Sequence, residues 1–467
     1  MDPNFLTVAD NVEYREGGQR KKRPGFRVYS TSSTDASADT PMVSSTSAVR
    51  AIADMWRYGD SLTPTQAYVA VTGASIFAST GGGLWTALTA SSSFGSNSNR
   101  QTNITLAGDY AVISDGATAP IAYDGLALTS TTLVAPSTGA AWPIFTHASY
   151  HLNRLWYTPV STAPSLIGYT AANNIFDSTG TDTGTFTVNA GDGDQIMGVS
   201  RPFYGSLYIF KGPQKGSVYQ LSGATPSAFA IAQVSHGAPL LNPRALVTTP
   251  TDIYWLSQYG VHSLETTVKF GNVEQAFLSL PIQSYWRNRI FKRTLLQNAW
   301  GFWHPQRNIV GWCVTPEGET SQHWLICYNY ALSDPKPGGK KFWSLWKLTG
   351  FGAASGAVML VGAIDPNHAG DPHLYLGGEA TGLVYEGDQE DTLADARAAY
   401  TMSIRTPTLT RFQTEQGIVP ETQEKGFVGI VTYFSPHGSV SADLTVTVDR
   451  RVQSTSISLT GGGATLT

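Results

Sequence analysis

Ala67-Tyr-Val-Ala-Val71 followed by Ser75-Ile-Phe77 is the first of seven copies of one pattern: a short apolar, aromatic run, a turn-rich gap, and a second run that usually carries a Tyr. The later first runs are Tyr110-Ala-Val-Ile113, Arg154-Leu-Trp-Tyr157, Leu207-Tyr-Ile-Phe210, Ile253-Tyr-Trp-Leu256, Ile309-Val-Gly-Trp312 and Pro372-His-Leu-Tyr-Leu376. Their second runs are Ile121-Ala-Tyr-Asp-Gly125, Leu166-Ile-Gly-Tyr169, Val218-Tyr-Gln-Leu221, Val261-His-Ser-Leu264, Trp324-Leu-Ile-Cys-Tyr328 and Leu383-Val-Tyr-Glu-Gly387. Short apolar runs bounded by turn residues read as strands. Strand units recurring every 40 to 50 residues or so are what radial arrays of sheets produce. The pattern therefore predicts an all-β fold, a β-propeller of six or seven blades with a short helical insertion and a small C-terminal β segment.

Composition agrees. Of 467 residues, 11% are aromatic, 47 are Gly and only 14% are charged, which suits short strands joined by tight turns. A formal net charge of −4 gives no global basic field for adhesion to nucleic acid. The N-terminal sequence Met1-Asp-Pro-Asn-Phe-Leu6 lacks a basic region followed by an apolar core, and no apolar stretch reaches membrane-spanning length, so neither export nor membrane insertion is expected. Cys313 and Cys327 lie in strand-like runs of the sixth copy and read as buried thiols, with a disulfide between paired strands as the alternative.

Three regions follow. Residues 1–50 form a polar opening segment read as a basic arm and loop, residues 51–400 carry the repeat, and residues 401–467 lack it. In the last region Phe427-Val-Gly-Ile-Val-Thr-Tyr-Phe434 and Leu444-Thr-Val-Thr-Val448 read as strands of a small sandwich or platform. Two stretches interrupt the strand pattern. Ser279 to Ile290 combines a cap-type Ser, an early Pro and apolar Ile282, Tyr285, Trp286 and Ile290, as an amphipathic helix would. Asp391 to Tyr400 reads as a short helix or loop.

Catalysis finds no support in sequence. Asp115, Asp124, Asp192 and Asp194 each adjoin a Gly, and turn chemistry accounts for all four. Gly191-Asp-Gly-Asp194 lacks the length and ligand alternation of a calcium loop. His147 and His151 have a helical metal-ligand spacing, but the run that follows is strand-like and no Glu completes the set. No nucleophile elbow, P-loop or paired Cys-x-x-Cys is present. No catalytic residue, metal site or cofactor is expected.

The most unusual local chemistry is Arg20-Lys-Lys-Arg23, which turns through Pro24-Gly25 into Phe26. A basic run can be a solvated arm or a strap that docks on an acidic subunit or a phosphate backbone, with Phe26 as anchor. Trp286, Arg287 and Arg289 of the helical insertion are further docking candidates, with packing of that helix on its own propeller as the alternative.

Asn11-Val-Glu-Tyr14, Gly17-Gly18 and Lys22-Arg-Pro-Gly-Phe26 resemble the opening of the propeller proteins in the tails of short-tailed bacteriophages: the tail nozzle or tail tubular protein B group and the tail hub or DNA-stabilisation proteins. His151-Leu-Asn-Arg-Leu-Trp156, Gly191-Asp-Gly-Asp194 ahead of Gly205-Ser-Leu-Tyr-Ile-Phe210, Trp255 to Leu264, and Leu278-Ser-Leu-Pro-Ile282 continue the likeness over roughly residues 1–390. The resemblance implies a virion structural protein made in the bacterial cytoplasm, assembled as a homo-oligomeric ring, usually a hexamer. Its neighbours would be adaptor or portal-side tail proteins and tail fibres. The ring would line the exit channel, retain packaged double-stranded DNA without sequence-specific contacts, and permit its ejection. Six chains would carry about −24, so Arg20 to Arg23 would belong at a subunit or adaptor interface rather than on a lumen through which DNA slides. The alternative is a receptor- or glycan-binding tail propeller, and after it a glycan-cleaving one.

Overall fold

In the computed structural model the seven quoted pairs of runs are the second and third strands of seven successive sheets. The residues described are 8–14, 20–29, 49–57, 65–72, 75–79, 85–88, 102–125, 133–134, 142–158, 163–265, 278–287, 291–319, 324–334, 339–348, 359–365, 373–378, 383–389, 394–395, 398–399, 402–405, 412–414, 417–419, 432–433, 440–448, 451–459 and 465–466.

Each sheet begins on an innermost strand that the repeat did not include. These are Val49–Arg57, Asn103–Ala107, His147–His151, Gln195–Val199, Leu246–Thr248, Trp300–His304 and Met359–Asp365. Each pairs antiparallel with its repeat strand, in registers such as His147↔Thr158 to His151↔Arg154. Fourth strands, such as Gly184–Thr187 and Ala230–Ser235, complete the outer edge of several sheets.

The repeat strands are buried on both faces because each sheet is covered by the next. Val69, Val71 and Ile76 meet Ala111, Ile113 and Tyr123 between the first and second sheets. Trp156, Ile167 and Tyr169 meet Val199, Leu207 and Ile209 between the third and fourth. Tyr375 and Val384 of the seventh meet Val49, Tyr68 and Phe77 of the first, which closes the ring. Full burial of side chains this large is worth about 1.5–3 kcal/mol each, so the run of interfaces holds the propeller together.

The opening segment is no free arm. Gly25–Val28 pairs antiparallel with Val384–Gln389 and completes the seventh sheet, while Val8–Asp10 joins the outer edge of the sixth at Asp10↔Leu345 and pairs antiparallel with Ser403–Arg405. Both outer edges had backbone groups to satisfy, and the N-terminal strands supply the partners. Asp2–Thr406 form one compact unit, so the propeller takes in residues first assigned to the arm and to the C-terminal segment.

Within the described part of the helical insertion, Leu280–Ile282 is a 3-10 turn with Pro early in it, followed by an α turn at Ser284–Arg287; residues 288–290 lie outside those described. The second stretch is strand rather than helix: Ala394–Asp395 and Ala398–Ala399 pair with each other, and Asp395 lies parallel to Phe26. The open backbone edge of Gly25–Val28 outweighs the helix propensity of a few Ala residues.

Pro407–Thr467 are a separate unit. Its longest element is the hairpin of Val440–Val448 with Arg451–Leu459, in register from Val440↔Leu459 to Val448↔Arg451. Thr432–Tyr433 pairs with Thr465–Leu466, and Phe412–Thr414 with Gly417–Val419. Residues 427–431 lie outside those described.

Candidate functional site

Two surfaces of the propeller carry side chains that strand packing does not absorb: the central channel and the face formed by the turns between first and second strands.

The channel is bounded by the innermost strands, whose side chains alternate between it and the sheet interfaces. Its cavity has a volume of about 630 Å³, and its lining includes Asp54, Trp56, His147, Tyr150, Arg201, Arg244 and Trp303. Asp54 accepts hydrogen bonds from Trp56 Nε1 at 3.0 Å and Gln66 Nε2 at 2.9 Å. His147 Nδ1 accepts the Val199 amide at 3.4 Å; burial and then the nearby Arg201 charge pull its pKa down to about 4, so the imidazole is neutral at pH 7. Burial lowers the pKa of Arg244 to about 10, leaving it charged.

On the turn face, His151-Leu152-Asn153-Arg154 and Phe203-Tyr204-Gly205-Ser206 are hairpins whose two central residues both have positive φ: 53° and 56° in the first, 47° and 73° in the second. Such turns match strand twist and favour Asn and Gly. Leu152 and Tyr204 occupy those positions instead, and they are exposed, Tyr204 to 81%. Bulky side chains in left-handed backbone cost about 1–2 kcal/mol apiece, and Tyr204 does not repay this by burial. The two turns are neighbours. Burial lowers the His151 pKa, and a hydrogen bond to the Gly205 backbone partly offsets the shift. Leu106, also exposed, precedes the corresponding turn of the second sheet.

The acidic turns are internally committed. Asp115 Oδ1 accepts the amides of Ala117 and Thr118. Asp194 accepts three amides, from Gln214, Lys215 and Gly216, each at 2.8 Å. Asp192 grips Lys211, whose Nζ lies 2.8 Å from both carboxylate oxygens and also donates to Val188 O and Asn189 O. Gly191 and Gly193 both have φ of +88°, the left-handed geometry this carboxylate loop requires. Among the described residues no cluster of three or more His, Cys, Asp or Glu could hold a metal. Cys313 and Cys327 are both buried thiols not joined in a disulfide; Cys313 faces Leu325 across the sheet rather than Cys327, and burial pushes both thiols up.

Several nominated docking residues turn inward. Arg23 is 0% exposed: Nε donates to Asn11 Oδ1, Nη1 to Pro24 O and Nη2 to Lys347 O, each at 3.0 Å. Phe26 packs with Trp300, Trp346 and Tyr385 between the sixth and seventh sheets. Trp286 is buried edge-on against Phe291. These three brace their own propeller and cannot anchor a neighbour. Arg20, Lys21 and Lys22 form a strand paired to Val12–Tyr14, with Arg20 exposed and the two lysines half-buried. Arg287 ends the α turn, and Arg289 lies outside the described residues. The turn tips at Leu152 and Tyr204 escaped sequence reading, although an apolar residue beside Asn153 or Gly205 in a hairpin was a usable signal.

No family model matches the chain, and no curated protein does. Solved structures similar to it include "YCF48 bound to D1 peptide", at 10% identity over 78% of this chain and 97% of that one, with a TM-score of 0.43. YCF48 from Cyanidioschyzon merolae matches at 12% identity over 74% of this chain and 97% of that one, with a TM-score of 0.40. BamB from Moraxella catarrhalis matches at 10% identity over 69% of this chain and 81% of that one, with a TM-score of 0.37. Likenesses at this level transfer neither partner nor activity.

Proposed function

We propose that this chain is a non-catalytic docking propeller that binds another protein through its turn face, in the form implied by its sequence resemblance: a ring subunit of a short-tailed phage tail that contacts adaptor or fibre proteins and surrounds the path of packaged DNA. The observation that carries docking is the exposed Tyr204 beside Leu152, each held in backbone that favours Asn or Gly. Strain retained at an exposed site is a mark of selection for something other than stability. The phage assignment rests on the residue pattern from Asn11 to Phe26 and its downstream companions. Native mass and projection images test it: a closed ring, of six chains in the expected case, supports the tail reading, whereas a persistent monomer opposes it.

A receptor- or glycan-binding module is the second reading, favoured by the same Tyr204, whose exposed ring offers a stacking platform. Binding of the purified monomer to host-surface polysaccharide, lost in Tyr204→Ala, would favour that reading over the ring.

Tyr204→Asn separates stability from docking. It relieves left-handed strain and is expected to raise stability by about 1 kcal/mol, read as a higher urea midpoint. The same change should lower incorporation into tails. Full incorporation by a double Leu152→Asn, Tyr204→Asn variant would remove this face from assembly.

A further inference from the structure

The central channel holds two guanidinium groups, Arg201 and Arg244, that form no ion pair with a carboxylate among the described residues. Arg201 follows the innermost strand Gln195–Val199 and is exposed to the channel; Arg244 sits in the 3-10 turn Pro243–Ala245. The two backbones are adjacent, because a Cβ on Gly198 would lie 3.2 Å from Pro243 Cα. Among the described residues Arg244 makes one side-chain hydrogen bond, from Nη1 to Arg50 O at 3.2 Å, and Arg201 makes none. Asp54 is the acidic side chain in the described lining, and both its oxygens already accept from Trp56 and Gln66. His147 is neutral and adds no charge of either sign at pH 7.

The hydroxyls of Thr102, Ser149 and Thr248, in the walls of the same cavity, have no hydrogen-bond partner in the described chain. Trp56, Tyr150 and Trp303 line it half-buried, giving flat apolar surface beside the cations. Arg201 is exposed to the channel and Arg244 half-buried, so both guanidinium groups can offer an oxyanion charge-assisted, forked hydrogen bonds. A volume near 630 Å³ falls in the range of small-molecule sites.

We propose that the channel binds a small organic anion, its carboxylate or phosphate held by Arg201 and Arg244 and its body packed on Trp56, Tyr150 and Trp303. The site is independent of the docking face and of the phage reading.

Titrating the full-length protein with inorganic phosphate and, separately, with citrate, at constant ionic strength and against sodium chloride, tests the site through tryptophan fluorescence. A saturable response to either oxyanion is expected, with chloride inert, and an apparent Kd at least tenfold weaker in Arg201→Gln. A response to phosphate alone or to citrate alone identifies which headgroup the site takes. Arg244→Gln should weaken binding similarly; if that variant fails to fold, Arg201→Gln decides, since Arg201 makes no side-chain hydrogen bond among the described residues. The absence of a saturable response to both oxyanions, or an unchanged Kd in Arg201→Gln, overturns the proposal.

Discussion

Arg23→Ala is expected to lower stability by at least about 3 kcal/mol, because hydrogen bonds from a charged donor are worth about 1.5–3 kcal/mol each and this side chain makes several. Arg23 Nε and Nη2 join Asn11 to the backbone of Lys347, while its guanidinium carbon lies 5.6 Å from the Phe26 ring centre. Asn11 continues the connection, since its Oδ1 also accepts the Lys347 amide at 2.8 Å and its own amide donates to Leu345 O at 2.7 Å. Removing the guanidinium unfastens the N-terminal hairpin from the sixth sheet and exposes the edge that Phe26 covers. Arg23→Lys should recover only part of the loss, because one ammonium cannot fork to acceptors in three directions. Urea unfolding checks both variants; a native midpoint in Arg23→Ala would show that the hairpin is held without this fork.

Lys211→Met is expected to cost about 3–5 kcal/mol at neutral pH, the usual effect of removing one member of a buried ion pair. Lys211 is fully buried and Asp192 nearly so, at side-chain exposures of 0% and 7%. Burial works against charge on Asp192, yet hydrogen bonds from Lys211 and the Asp194 amide outweigh it and hold the carboxyl below its ordinary pKa. A carboxyl depressed in the folded state stabilises above its unfolded pKa, and that contribution is lost as pH falls through the folded value. The gap between native protein and Lys211→Met should therefore be widest at neutral pH and narrow through the carboxylate range. Adding Asp192→Asn to Lys211→Met should restore part of the loss, because no unpaired charge is then buried. A gap that is the same at neutral pH and at a pH below the carboxylate range would mean that Asp192 does not carry the effect.

The sequence was legible where a strand is covered on both sides. The seven quoted pairs are continuous apolar runs because both faces of the middle strands meet neighbouring sheets. The innermost strands were missed because one of their faces looks into a channel, which admits Asp54 and His147 among apolar residues and breaks the run. The opening segment was misjudged for a related reason. Arg20-Lys-Lys-Arg23 has the composition of a solvated arm, and only the fold reveals that Arg23 is buried and reaches the Lys347 carbonyl, 324 positions later. Leu152 was read as part of a motif and Tyr204 was not singled out, whereas the significance of both lies in backbone angles that composition does not express. His147 and His151, whose spacing would suit a helix, stand instead at the two ends of one strand.

The location of Gly25–Val28 also sets a timetable. A strand near the start of the chain pairs with Val384–Gln389, which leaves the ribosome more than 300 residues later. At about 5–20 residues per second, the early strand waits on the order of tens of seconds for its partner. The contact that seals the ring is then among the last available, and its long loop makes it slow to find. Once made, it gives unfolding no natural first sheet to peel away. Resistance to forced opening would thus reside in the seam between the two ends of the propeller, and a break there would release the structure as a whole.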